Sequence, residues 1–135
     1  MSKVVIFHNE VPNVTQKDFT WNTMVRFCWL QLKLTTTATV GSRAVYFELL
    51  DLASVRRFYQ PLTTTTVTEN LVRGVHAGMS TTRGTSFNFG GDVRSMFVPI
   101  PHPIYIRAGW ILRIKEVNAI DPLDDMVISG AVELL

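Results

Sequence analysis

The groups in this chain that could do chemistry are few and scattered. They are His8, His76 and His102, the single cysteine Cys28, and one acidic cluster, Asp121-Pro122-Leu123-Asp124-Asp125. Zinc sites draw on close-spaced ligand pairs, and these histidines form neither an HxH nor an HxxxH pair, with only one cysteine to help. Cys28 lies inside Val25-Arg26-Phe27-Cys28-Trp29-Leu30 with no histidine close by in sequence. A nucleophilic thiol needs a base or cation that keeps it ionised, so this cysteine reads as a small buried hydrophobe. No Gly-x-Ser-x-Gly elbow occurs, and the glycine pair Gly90-Gly91 runs into Asp92, the wrong charge beside a phosphate. The acidic cluster lacks the dense ligand spacing of a calcium loop, and Asp and Pro are standard turn formers. The expectation is a protein with no catalytic residues, metal or cofactor, one that works by binding and packing.

Charge and composition narrow the partners. The 135 residues carry 13 basic and 11 acidic side chains, a formal charge of +2. Nucleic-acid binding rests on a clustered basic face, whereas the densest basic cluster here is Arg56-Arg57, so no nucleic acid is expected. The first apolar run, Val4 to Phe7, is four residues long. It is too short for a signal core or a membrane span, and the expectation is a protein made in a cytoplasm-like compartment with no membrane partner. With 47% hydrophobic and 18% charged residues, a packed core is expected in one domain.

The elements that must position any functional group follow a period of two. Ile111, Arg113, Lys115 and Val117 fall on one side of a strand, with Leu112, Ile114 and Glu116 on the other. From Met24 to Leu34, strict alternation puts Cys28, Leu30, Leu32 and Leu34 on one face. It puts Val25, Phe27, Trp29, Gln31 and Lys33 on the other, apolar on both faces at first and on one later. Threonine runs at 35–37, 63–66 and 81–82 supply β propensity without stickiness. Breakers fall every 6 to 12 residues, the spacing of sandwiches and barrels. This predicts an all-β, antiparallel β-sandwich of about eight strands near 3–7, 24–37, 43–50, 55–60, 66–73, 94–99, 111–117 and 126–134. The segment Leu49 to Tyr59 fits two strands joined at Leu52-Ala53-Ser54, with a short helix as the alternative.

Residues 8–22 are polar and aperiodic, so the chain divides into an extended N-terminal arm, 1–22, and a sandwich domain, 23–135. Val4, Val5, Ile6 and Phe7 on such a tether need cover on both faces, from a neighbouring subunit as an exchanged arm or from the chain's own sandwich. Aromatic and arginine residues near loops are the usual interface anchors. Trp21, Arg56, Arg57, Phe58 and Tyr59 therefore join Val4, Val5, Ile6 and Phe7 as candidate interface residues. Trp110, Phe97 and Tyr105 read as core.

A long strand ends in Leu32-Lys33-Leu34-Thr35-Thr36-Thr37-Ala38-Thr39-Val40, Gly41-Ser42-Arg43 leads to a strand ending at Asp51, and the Pro99 to Gly109 turn precedes Trp110 to Val117. Asp124-Asp125 then opens the strand Met126 to Glu133. In this order the segments, over residues 24–135, resemble a group of small tailed-phage virion proteins with a jelly-roll-like sandwich. Region 52–60 departs from that pattern, with Arg56-Arg57 and Phe58-Tyr59 in place of a polar turn. The resemblance implies a capsid cement or decoration protein on the surface of a virion assembled in the host cytoplasm. It would bind the major capsid protein as a dimer or trimer. Alternatives are a neck or tail ring or fibre-base component and, from another class, a carbohydrate-binding sandwich module.

Overall fold

The computed structural model of the protein describes residues 3–12, 15–36, 41–67, 71–78, 94–100, 103–116 and 124–135. Its period-two segments form ten strands: β1 Lys3–Asn9, β2 Gln16–Thr20, β3 Val25–Thr36, β4 Gly41–Leu50, β5 Arg56–Val67, β6 Leu71–Gly78, β7 Arg94–Pro99, β8 Tyr105–Ile106, β9 Ile111–Glu116 and β10 Asp125–Leu134. No helix occurs among the described residues. One sheet runs β1-β10-β3-β6-β7 with β8 added to β3, and the other runs β2-β9-β4-β5. Without β7 and β8, the two four-strand orders are those of a jelly roll, in which each successive strand crosses to the opposite sheet or its partner. Every ladder is antiparallel except β6 with β7, which is parallel.

The inner faces of the two sheets make the core. Leu30, Leu32 and Leu34 of β3 and Met126, Ile128 and Val132 of β10 meet Val45, Phe47 and Leu49 of β4 and Leu112 and Ile114 of β9. Phe27 stacks on Phe47 at 5.7 Å between ring centres, and Phe58 adds a second ring to Phe47 at 5.5 Å. The side chains of β6 and β7 and of residues 63–67 lie outside the described set, as do His102, Gly90-Gly91 and residues 121–123.

Strict alternation fails at one point in β3. Phe27 opposes Val132 while Trp29 opposes Ala131, so Cys28 is an extra residue in a β-bulge. The bulge resets the faces, and Val25 and Phe27 point into the core together with Leu30, Leu32 and Leu34. The double-sided apolar stretch in the sequence is thus one core face interrupted by Cys28, whose half-buried thiol lies 3.7 Å from the Arg26 carbonyl. Burial pushes its pKa up, against the attraction of Arg26.

Residues 3–9 and 16–20, assigned to the arm from sequence, are strands of the two sheets in this chain. β1 pairs with β10 from Lys3↔Leu134 to Asn9↔Ile128, and β2 pairs with β9. Of the two covers open to Val4 through Phe7, the fold has the chain's own sandwich. Phe7 is buried against Phe19 at 4.6 Å and Trp21 at 5.5 Å. β2 escapes sequence reading because its inward residues are Lys17 and Phe19. Lys17 is buried, and its ammonium donates to the Asn9 carbonyl (3.1 Å), Asn9 Oδ1 (2.8 Å) and the Val11 carbonyl (3.0 Å), tying the β1–β2 connection to the sheet. Region 49–59 is a hairpin, and Pro61 lies within β5 instead of ending a strand. The edge position of β5 and a bulge beside Pro61 tolerate the missing N–H.

Candidate functional site

The β2–β3 connection at 21–24, the β4–β5 turn at 51–55, residues 107–110 before β9 and the C-terminal Leu135 all meet at one end of the sandwich. Asp51 builds the turn. Its Oδ1 accepts the N–H groups of Ala53 and Val55, both at 2.9 Å, and its backbone N–H and carbonyl bond the Val55 carbonyl and the Ser54 N–H, each at 3.0 Å. Ser54 takes the left-handed conformation at φ 60, which a short polar residue tolerates. These bonds hold the Asp51 carboxyl below the usual range, the Val55 N–H contributing most and Arg57, 2.9 Å away, adding to it. The turn is therefore rigid, and it holds Leu52 78% exposed and Val55 49% exposed.

Neighbouring loops lock onto this turn. Gly109 sits at φ +80 and donates its N–H to the Trp21 carbonyl at 2.9 Å. A Cβ on Gly109 would come within 2.9 Å of Leu52 Cδ2, so one side of Leu52 rests on bare backbone. The Leu135 N–H reaches the Met24 carbonyl at 3.3 Å, and Tyr105 stands opposite Arg26. Arg107 lies over the Trp110 ring at 5.7 Å. Among the described residues nine large apolar side chains are exposed, and five of them, Met24, Leu52, Val55, Tyr105 and Leu135, collect at this end. Single exposed apolar residues need no explanation, whereas five at one end of the fold make that end the candidate interaction surface. Tyr105 on β8 and the Arg107–Trp110 pair are of the residue types that carry interface energy, and the Asp51-braced turn presents Leu52 and Val55 at small entropic cost.

The outer face of the four-stranded sheet is a second surface, and it is already satisfied. Asp18, Arg113, Glu48 and Arg56 alternate in charge across β2, β9, β4 and β5. Arg113 grips Asp18 with two bonds of 2.9 and 3.1 Å, and Arg56 donates to Glu48 at 2.6 Å. Arg113 stands 4.0 Å from the other Glu48 oxygen. Glu48 is buried on an outer face because Arg56 covers it and also lies over the rings of Tyr59 (4.5 Å) and Tyr46 (5.6 Å). Burial raises the Tyr46 pKa, with Glu48 adding to the shift, so this phenol stays neutral.

The residues singled out from sequence separate accordingly. Val4 and Ile6 are exposed on β1, Val5 is half-buried, and Phe7 is in the core. Trp21 and Phe58 pack on the core from its rim, Arg56 and Tyr59 belong to the charged face, and Arg57 braces the Asp51 turn. Tyr105, read from sequence as core, is exposed, while Trp110 and the backbone around it flank the apolar end. Leu52 and Val55 escaped notice although the turn itself was legible; a leucine at the tip of a polar turn was the available signal. His8 bonds Ser129 Oγ at 3.0 Å and lies 3.5 Å from Glu10, and Asp124 and Glu116 are buried at the opposite end of the sandwich. No three His, Cys, Asp or Glu side chains among the described residues converge as a metal site would require. Comparison with protein-family models and with curated proteins finds no match to the chain.

Proposed function

We propose that the protein is a structural component of a tailed-phage virion that seats its apolar end on the outside of the head shell and clamps adjacent major capsid subunits. The observation that carries this reading is the exposure of Met24, Leu52, Val55, Tyr105 and Leu135 at one end of the sandwich, with Leu52 and Val55 on the turn that Asp51 braces. Jelly rolls serve many functions, so the fold alone assigns none. The jelly-roll strand order does agree with the resemblance of residues 24–135 to cement and decoration proteins. Binding only the expanded shell stabilises that state by mass action.

The test is binding of the purified protein to expanded empty heads, followed by their thermal transition. Wild-type protein should bind and raise the transition temperature, and Leu52→Asp/Val55→Asp should fold normally and lose attachment. Absence of wild-type binding at about micromolar concentration rejects the reading. Copy number in the virion then locates the protein, since a shell component is present in far more copies than a neck or tail ring.

A further inference from the structure

β1 is an edge strand, and between Lys3 at its start and His8 near its end it lacks the bulges, proline and brevity that protect the edges β5 and β2. β5 is interrupted by two bulges and carries Pro61 and the arginines Arg56 and Arg57. β2 is five residues long, with Asp18 outward and Lys17 inward. β1 runs for seven residues in unbroken register with β10, has no proline, and exposes Val4 (57%) and Ile6 (59%) on its outer face. An unblunted apolar edge is a template for another strand. Its inner neighbours extend the apolar character, because the register aligns Ile6 with Ala131 of β10 and Trp29 of β3 in one row across the outer face.

We infer that β1 pairs antiparallel with β1 of a second copy of this chain, about a two-fold axis at Ile6, joining the two larger sheets into one. Two features select this occupant and this register. First, the row Trp29–Ala131–Ile6 continues through the partner's Ile6 into the same row of the second copy without a polar interruption. Second, the strand has Lys3 at one end and Glu10 just past the other, both exposed. Antiparallel pairing centred on Ile6 sets Lys3 across from the partner's Asn9 and beside the partner's Glu10, twice by symmetry. Parallel pairing would place like ends together. Opposite charges and apolar pairs across strands favour the arrangement, and one strand pair buries less than a standard stable interface, so the dimer is a moderate-affinity one. This inference stands apart from the shell-binding proposal and is read on the isolated protein.

Sedimentation equilibrium tests it. The wild-type chain should dimerise with a Kd on the order of micromolar. Ile6→Lys sets two ammonium groups side by side on the axis and should weaken the dimer by on the order of 100-fold with an unchanged melting curve. Val127→Glu, on the outer face of β10 beyond the end of the β1 ladder, should leave it intact. Lys3→Glu and Glu10→Lys should each weaken dimerisation, and the double exchange should restore it. A wild-type monomer at about 100 micromolar, an Ile6→Lys dimer of wild-type affinity, or failure of the double exchange to restore pairing would each overturn the inference.

Discussion

Gly130→Ala is the substitution that most directly interrogates how the N-terminal strand sits on the domain. Gly130 lies in β10 opposite Phe7 of β1 and Leu30 of β3. A Cβ built there would overlap Phe7 Cζ and come within 2.7 Å of both Phe7 Cε1 and the Trp29 carbonyl oxygen. Phe19 at 4.6 Å and Trp21 at 5.5 Å keep the ring from turning away. The Trp29 carbonyl is backbone in the middle of the sheet and yields less still. Overpacking a closed core typically costs about 1–3 kcal/mol, and two independent obstructions put this site at the upper end, about 3 kcal/mol. For a domain of this size that lowers Tm by roughly 10 °C.

A double-mutant cycle identifies the source of the cost. Phe7→Leu removes the ring atoms that meet the new methyl group but leaves the Trp29 carbonyl in place. The Gly130→Ala penalty should then shrink by about 1–2 kcal/mol, a coupling typical of residues in contact. Thermal and urea unfolding of the four proteins measure it. Additive effects, or a Gly130→Ala protein that melts within about 1 °C of wild type, would show that Phe7 does not cover Gly130. The placement of β1 on β10 would fall with it.

The polar features give three further expectations. Glu48→Gln removes the charge shared by Arg56 and Arg113 and should cost about 1–2 kcal/mol, less at high salt; unchanged urea midpoints would show that the charged row does not stabilise the sheet. Asp51 has a native pKa below its ordinary 3.8, so its contribution is complete above that value and is lost as pH falls through the depressed native one. Asp51→Asn should therefore flatten the fall in Tm on the acid side of pH 4 (roughly), and an unaltered acid limb would refute the turn geometry. Cys28, with its thiol pKa raised by burial in the bulge, should react with a disulfide reagent at about pH 8 more slowly than a free thiol until the protein unfolds, and equal rates would refute its placement.

Much of the fold was legible because alternation is a local signal. The strands at Ile111–Glu116 and Asp125–Leu134 needed only their own residues to be found. What escaped depends on partners remote in sequence. β2 presents Lys17 to the interior, and a buried ammonium is intelligible only with the Asn9 and Val11 oxygens beside it. Cys28 inverts the faces of β3, and nothing in Arg26-Phe27-Cys28-Trp29 announces a bulge; it shows only in the pairing, where the consecutive Ala131 and Val132 oppose Trp29 and Phe27. The expected strand 55–60 stops before Pro61 because proline denies a ladder bond, yet at the sheet edge that bond is not required. The interface candidates divide for the same reason. Alternation within Val4 to Phe7 sends Ile6 outward and Phe7 inward, and only the position of β10 decides which face is which.

The relation of the two proposed surfaces constrains any assembly. β1 starts at the apolar end, where Lys3 opposes Leu134 beside the exposed Leu135. The two-fold axis beside Ile6 runs normal to the sheet, and antiparallel pairing reverses the second copy. The apolar end of each copy then lies at opposite sides of the joined sheet, facing away from its mate. A dimer of this form presents two attachment points that face opposite ways, so a shell surface seats one of them end-on while the second copy projects outward. Dimerisation and attachment are then independent, and Ile6→Lys should bind and stabilise expanded heads as the wild-type chain does. Weakened stabilisation in that variant would mean that both copies reach the shell, which antiparallel pairing through Ile6 excludes.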